Sequence, residues 1–271
     1  MHKQEEACRA CGEHARYLWS GQVLDLQVRY FECRQCGYVQ TESPHWLERA
    51  YAAAINDSDT GMMKRNIRNA QVVLTTLAML GKTNGSVVDY AGGYGILVRL
   101  LRDKGVNALR MDRFCENLLA RGFDYTLHAQ VEKPSLVTAF EAFEHFSEPR
   151  KELKEMLTIS HNVLLSTELI ADPAPPHDQW WYYGREHGQH VGFFRYRTLV
   201  HLAQAHGKYL VSDRRSLHLI TAQPVNPLVW KAFLKSKAVL QHLLRFKLES
   251  KTWSDHIDIA EAACDANRVG H

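Results

Sequence analysis

Apolar residues along this chain fall into short runs and helical spacings, and the two alternate through its middle. Val87 and Val88 read as a short buried strand. The turn Tyr90-Ala91-Gly92-Gly93-Tyr94-Gly95 follows, and Ile96 to Lys104 then carries helical apolar spacing that Gly105 stops. Asn107 to Asp112 predicts a second strand. After it come a short helix over Glu116–Arg121, a strand over Tyr125–His128 and a strand over Leu136–Phe140. A helix from Pro149 to Thr158 leads into a strand over His161–Thr167. Tyr196 to His206 is helical and ends at Gly207. The strands Lys208–Asp213 and Ser216–Thr221 are joined by a turn too tight for a crossover, so they must run antiparallel.

Both ends of the chain differ from this alternation. Tyr17–Trp19 and Val23–Phe31 alternate as a small hairpin. Ser43-Pro44 reads as an N-cap and first helical residue, with helix through Ala54 and a polar break at Asn56–Gly61. Met63 to Leu80 is a second helix whose apolar face is Ile67, Ala70, Leu74, Leu77 and Ala78. From Val225 the chain is helical, with Trp230, Phe233, Leu234, Leu240, Leu243, Leu244 and Leu248 interleaved by lysine and arginine. That pattern predicts packing across the domain or on a second copy of the chain, in a homodimer. The expected division is 1–42, a small ribbon; 43–82, a helical connector; 83–224, the α/β domain; and 225–271, a helical extension.

Composition narrows the class only a little. The 271 residues are 45% hydrophobic and 23% charged, and the net charge of +3 gives no reason to expect a membrane or nucleic-acid partner. No apolar run approaches the length of a membrane helix, and Met1 to Ala7 lacks the apolar stretch of a secretory signal. A reducing cytoplasm is the expected location, so cysteines should be thiols or metal ligands.

Four of the cysteines are paired as Cys8-x-x-Cys11-Gly12 and Cys33-x-x-Cys36-Gly37. Two thiolates of one turn can bind one ion, and two such turns complete a tetrahedral site. This is a zinc-ribbon signature, and an all-cysteine site is expected to be structural. The ribbon's Lys3, Arg9, Arg16, Arg29 and Arg34 are balanced by Glu5, Glu6, Glu13, Asp25, Glu32 and Glu42, which leaves no footprint for phosphates.

The strand, glycine turn and helix start at 86–104 make a niche of nucleotide size, because glycines let a ligand approach and a helix start offers free N–H groups. Asp112, one strand on, places a carboxylate beside that turn, where it can accept from two ribose hydroxyls. Asp89-x-Ala91-x-Gly93-x-Gly95 resembles the first motif of class I S-adenosylmethionine-dependent methyltransferases, with alanine for the first glycine. A negative φ at Ala91 would make that exchange harmless. The resemblance, over about Ser86 to Gln223, implies an α/β Rossmann-like sheet of seven strands with an antiparallel last strand. It also implies S-adenosylmethionine held by Asp89, Ala91, Gly93, Gly95 and Asp112. Thr138 to Phe146 resembles the run that lies against the methionine end of the cofactor in that family, which adds Phe140 and Glu141. Glu144-His145 is read as fixing this loop and capping the helix near Pro149.

Glu168 to Phe194 is a connection long enough to be functional. It holds Trp180, Trp181, Tyr182 and Tyr183, which can wall off water and stack on a flat ring, and Glu186, His187 and His190, which can move protons. With the N-terminal ribbon, the chain is similar to bacterial sugar-nucleotide C-methyltransferases and their relatives, which carry Glu-His-x-x-aromatic-Phe here. The matching run is Gln189-His190-Val191-Gly192-Phe193-Phe194. The resemblance puts a general base of ordinary imidazole pKa at His190, with His187 and Glu186 as the alternatives, and a small-molecule methyl acceptor. A zinc-ribbon RNA methyltransferase and a non-catalytic scaffold are the other readings.

Overall fold

The structure, a computed structural model, describes residues 5–51, 59–125 and 132–269. Strands β1 (Glu5–Ala7), β2 (His14–Val23), β3 (Leu26–Cys33) and β4 (Val39–Thr41) precede helices α1 (Leu47–Ala50) and α2 (Met62–Met79). Then come β5 (Val87–Tyr90), α3 (Ile96–Asp103), β6 (Ala108–Met111), β7 (Leu136–Phe140), α4 (Pro149–Ile159), β8 (Val163–Ser166) and β9 (Gly192–Phe193). The chain ends with α5 (Tyr196–Gln204), β10 (Tyr209–Ser212), β11 (Leu217–Thr221), α6 (Pro227–Lys235), α7 (Lys237–Leu244) and α8 (Thr252–Val269).

Two sheets result. One has the order β1-β2-β3-β4-β9, and the other β10-β11-β8-β7-β5-β6. In the second, β5 runs parallel to both β6 and β7, whereas β11 is antiparallel to β8 and to β10. This is the α/β, Rossmann-like methyltransferase fold, with a mixed sheet of six strands among the described residues and the expected antiparallel hairpin at its end. The strand expected at Tyr125–His128 falls, past Tyr125, outside the described residues. Asp124 makes a parallel bridge to Arg110 of β6, and the Arg110 N–H donates to the Phe123 carbonyl at 2.8 Å.

The chain divides into two compact units, Met1–Asp59 with Ala139–Trp230 and Thr60–Thr138 with Lys231–His271. In the first, ribbon strands and the 168–194 connection share one apolar core: Val28, Tyr30 and Val39 pack with Tyr182, Tyr183, Val191 and Phe193. In the second, Val73 and Leu77 of α2, Val87 and Val88 of β5, and Val98 and Leu101 of α3 are buried. Helix α8 is tied to α3 by Asp255, which accepts from Arg102 at 2.6 and 2.8 Å and from Arg99 at 2.8 Å. No helix among the described residues is long and apolar enough to cross a membrane.

Several local expectations are corrected. No helix forms over Glu116–Arg121, because the Asn117 side chain competes for the backbone. Its oxygen accepts from the Ala120 N–H at 2.9 Å and its amide donates to the Ala120 carbonyl at 2.7 Å. Ser43-Pro44 forms a turn rather than a helix start, and α1 begins after Trp46, whose indole N–H is held by the Gly188 carbonyl at 2.8 Å. The C-terminal segment breaks into three helices instead of one. Ala91 has φ +56°, not the negative value that its alanine suggested.

The left-handed backbone at Ala91 generates a stability prediction. A side chain in that region costs about 1–2 kcal/mol, and glycine returns part of the gain through the flexible unfolded chain. Ala91 is exposed, so its methyl group contributes little packing. Ala91→Gly should therefore stabilise the protein by about 0.5–1 kcal/mol in denaturant titration. A loss of stability would show that the turn is not strained there.

Candidate functional site

Cys8 and Cys36 lie 3.6 Å apart at sulfur, and Cys11 and Cys33 lie 3.5 Å apart. A disulfide needs about 2.0 Å, whereas a tetrahedral ZnS4 centre puts its sulfurs about 3.8 Å apart. All four sulfurs fall within 4.8 Å of one another. Each turn is closed by its glycine, with the Gly12 N–H on the Cys8 carbonyl and the Gly37 N–H on the Cys33 carbonyl, both at 2.8 Å. Burial pushes the Cys11 thiol up to about 12, whereas the contact with Cys36 holds Cys8 down to about 5. The donor set fits zinc.

The ribbon continues into the 168–194 connection. Residues Val39 and Gln40 of β4 pair with Phe193 and Gly192 of β9. The Val191 carbonyl accepts from the Thr41 N–H at 3.1 Å and from the Arg9 guanidinium at 2.7 Å. The Arg195 guanidinium donates to the Gly37 carbonyl at 2.8 Å and pairs with Glu32, and the Thr198 hydroxyl donates to the Cys36 carbonyl at 2.9 Å. Most of the connection's aromatic residues are thus spent on structure. Tyr182 and Tyr183 are core residues, while Trp181 is 76% exposed.

The nucleotide-sized niche lies in the second unit, in the turns after β5 and β6. Asp89 is buried at the end of β5, where it accepts from the Thr138 hydroxyl at 2.6 Å. Burial, opposed by that hydroxyl, raises its carboxyl to about 7. Gly93 has φ +55°, and among the described residues a Cβ there would meet nothing within 4 Å, so the tip of the turn is open. Gly95 precedes α3 and is packed against Asn117 and Ala120. Asp112, its side chain 7% exposed, uses Oδ2 for the Gly93 N–H at 2.9 Å and Oδ1 for the Phe114 and Cys115 N–H groups at 2.8 Å. A carboxylate has about four lone-pair positions, so one remains on Oδ2. Beneath the turns lies Arg110, whose buried guanidinium donates to the Gly93 carbonyl, the Cys115 carbonyl and Asp124. Phe140 and Glu141 belong to the first unit; Glu141, at φ +51°, gives its N–H to Ser166 Oγ at 2.8 Å.

The proton-transfer candidates gather in the first unit. The rings of His190 and His145 stand 4.7 Å apart, and those of His190 and His187 4.8 Å apart. His190 donates Nδ1–H to the Tyr182 carbonyl at 2.7 Å and packs on the Tyr182 ring. The hydrogen bond selects one tautomer and leaves the Nε2 lone pair free. Burial, opposed by that carbonyl, lowers His190 to about 4 instead of the ordinary imidazole value expected. Burial also lowers His187 to about 4, and places His145 well below its usual range. Glu186 is 75% exposed at its side chain, with Arg185 at 4.0 Å, and does not join the cluster. Gln189 turns away too, its amide donating to the Ala50 carbonyl at 2.9 Å.

Glu144 and His145 are the residues that the sequence reading undervalued. They do not cap α4: its N-cap is Glu148, without a side-chain capping bond. Instead His145 Nδ1 meets the Tyr51 hydroxyl at 2.8 Å, and the Glu144 carbonyl accepts from the Val191 N–H at 2.8 Å. The available signal was the adjacency of an acid and an imidazole after an α/β strand. Arg110 gave a signal as well, a charge in the middle of an apolar strand.

A family model described as a methyltransferase domain matches residues 63–213. No curated protein matches the chain. Among solved structures, it is similar to CalO1, a methyltransferase in calicheamicin biosynthesis, in its SAH-bound form, at 13% identity and TM-score 0.38 over 58% of this chain and 54% of that one. It is similar to TnmH at 15% identity and TM-score 0.41, over 66% and 62%. It is also similar to an O-methyltransferase family protein from Burkholderia thailandensis at 14% identity and TM-score 0.44, over 71% and 66%. The chain thus spans less than two thirds of each of these structures. With more than half of its length inside the family match, the chain belongs to the methyltransferase-domain family.

Proposed function

We propose that this protein transfers a methyl group from S-adenosylmethionine to a small-molecule acceptor, with His190 taking the acceptor's proton. The observation that carries the reading is the His190 imidazole, fixed in one tautomer by the Tyr182 carbonyl with Nε2 left free. The residues present suit the cofactor: an open turn tip at Gly93, a carboxylate with one free lone pair at Asp112, and the start of α3. When bound, S-adenosylmethionine supplies a methyl group activated by its sulfonium charge.

The chain's own groups have separate tasks in this reading. Asp112 holds the Gly93 N–H and accepts one ribose hydroxyl, while Arg110 keeps the two turns together. Phe140 and Glu141 follow β7, and the histidine-bearing connection follows β8; in open α/β sheets ligands bind beyond the carboxyl ends of the strands. Burial lowers His190 to about 4, so its imidazole is neutral at cellular pH, though a weaker base than one that titrates near the operating pH. His187 is the second choice for this step. The four cysteines hold a structural zinc, and the ribbon in turn holds the peptide beside His190. An RNA acceptor finds no support in the near-neutral ribbon.

Three outcomes test this reading. His190→Ala should lower methyl transfer about 10²–10⁴-fold while cofactor affinity stays within a few-fold, and His187→Ala should do less. Full turnover in His190→Ala on the true acceptor would remove His190 from the reaction. Asp112→Ala strips a partner from three backbone N–H groups as well as from the ribose, and should weaken cofactor binding by about 1.5–3 kcal/mol in calorimetry. Wild-type affinity in that variant would put the cofactor elsewhere.

The third outcome separates a zinc that only steadies the ribbon from one that also steadies the histidine loop. Cys33→Ser should release the ribbon zinc and, through β4 and β9, reduce turnover too, although the cysteine takes no part in the chemistry. Loss of zinc with unchanged turnover would show that the loop stands without it.

A further inference from the structure

The proton-transfer reading leaves one buried charged group without a task. Glu144 is 1% exposed, and among the described residues neither of its oxygens has a hydrogen-bond partner. The hydroxyls of Tyr182 and Thr167 are near enough to oppose the effect of burial on its carboxyl, without reaching hydrogen-bond geometry. A buried carboxyl left so is costly unless a cation or a donor satisfies it. One ligand atom each from Glu144, His145 and His190 lies within 4.8 Å of the others.

The imidazoles are prepared in the way that metal ligands are. A ligating histidine usually engages its other ring nitrogen with an oxygen, which fixes the ring. Here His190 Nδ1 is held by the Tyr182 carbonyl at 2.7 Å and His145 Nδ1 by the Tyr51 hydroxyl at 2.8 Å. His190 is left with Nε2, and a bond to the Gln189 carbonyl also engages the His145 ring. The backbone fastens the two segments together, through the Val191 N–H on the Glu144 carbonyl at 2.8 Å.

We propose that Glu144, His145 and His190 form a second metal site, separate from the four cysteines, for a divalent transition-metal ion bound by one carboxylate and two imidazoles. Two nitrogens and one oxygen suit ions such as Zn2+, Mn2+ or Fe2+ better than Mg2+ or Ca2+, which prefer oxygen alone. Three protein ligands leave a position for water or an acceptor oxygen. Ligands at about 2.0–2.2 Å from zinc stand about 3.4 Å apart in a tetrahedron, so the cluster draws in as the ion binds. A lone pair at His190 Nε2 cannot hold an ion and take a proton at once. The ion-loaded protein and the protein with His190 as base are therefore two exclusive states of one centre.

The test is metal stoichiometry, which does not depend on turnover, so its failure leaves the methyl-transfer reading standing. The full chain, with zinc in its cysteine site and free metal removed, is titrated with Co2+ and followed by visible absorption and native mass spectrometry. The expected result is one further equivalent of cobalt, with visible ligand-field bands but without the intense thiolate charge-transfer band of a cysteine site. Glu144→Gln and His145→Ala should each weaken that second ion at least ten-fold, with the first zinc and the melting temperature retained. If one variant fails to fold, as loss of the ribbon zinc would reveal, the other decides. No second equivalent, or a second ion that the folded variants bind with unchanged affinity, overturns the proposal.

Discussion

The peptide of Val191 is the constraint on which the first unit depends. Its N–H is given to the carbonyl of Glu144, and its carbonyl receives the Thr41 N–H and the Arg9 guanidinium from the ribbon. One residue thus ties the segment after β7, the histidine loop and the four-cysteine ribbon. The next residue, Gly192, comes so close to Tyr38 that a Cβ would lie 1.8 Å from its hydroxyl. Only glycine lets β9 approach β4 there. A connection of this length would otherwise lose much entropy on ordering. Short strands, a shared aromatic core and the ribbon supply the ordering contacts.

The second unit solves a comparable problem with charge. Arg110 is buried under two irregular turns whose carbonyls lie outside strand and helix ladders, and its guanidinium donates to two of them at once. Asp124 balances its charge at 3.0 Å. Asp112 does the converse, collecting N–H groups that the turns leave over. The two side chains hold irregular backbone in a defined rim, and among the described residues nothing lies within 4 Å of where a Gly93 Cβ would stand.

What could be read from the sequence follows the range of the forces involved. The cysteine spacing, the glycine turn, the strand ending in Asp112 and the final hairpin are local patterns, and each gave its element. The division of labour between the two Cys-x-x-Cys turns and the histidine loop was not legible. It rests on a strand of two residues paired across more than a hundred and fifty positions, a non-local contact without periodicity. Glu144-His145 was misread because a local capping role is always available to an acid before a helix, whereas its true neighbours come from Tyr51 and His190. The helix expected at 116–121 failed for a similar reason, since Asn117 found local backbone partners that compete with helix bonds.

Tyr182 shows how the two sources of order meet. Its hydroxyl accepts the Glu168 N–H at 3.1 Å and lies 3.4 Å from the Thr167 hydroxyl, just beyond the end of β8. Its carbonyl holds His190, and its ring packs on the same imidazole at 4.7 Å. His190 is therefore positioned from the sheet through Tyr182 and from the ribbon through Val191. Two independent supports fix both the position and the tautomer of one ring, which is what a group acting over a hydrogen-bond distance requires. The glutamine that stands before it gives its amide to the Ala50 carbonyl. Orientation comes from a main-chain carbonyl, and a carbonyl holds the imidazole without adding a charge. A neighbouring carboxylate would raise the imidazole's pKa; a carbonyl leaves burial to dominate, and the ring stays neutral with its second nitrogen free.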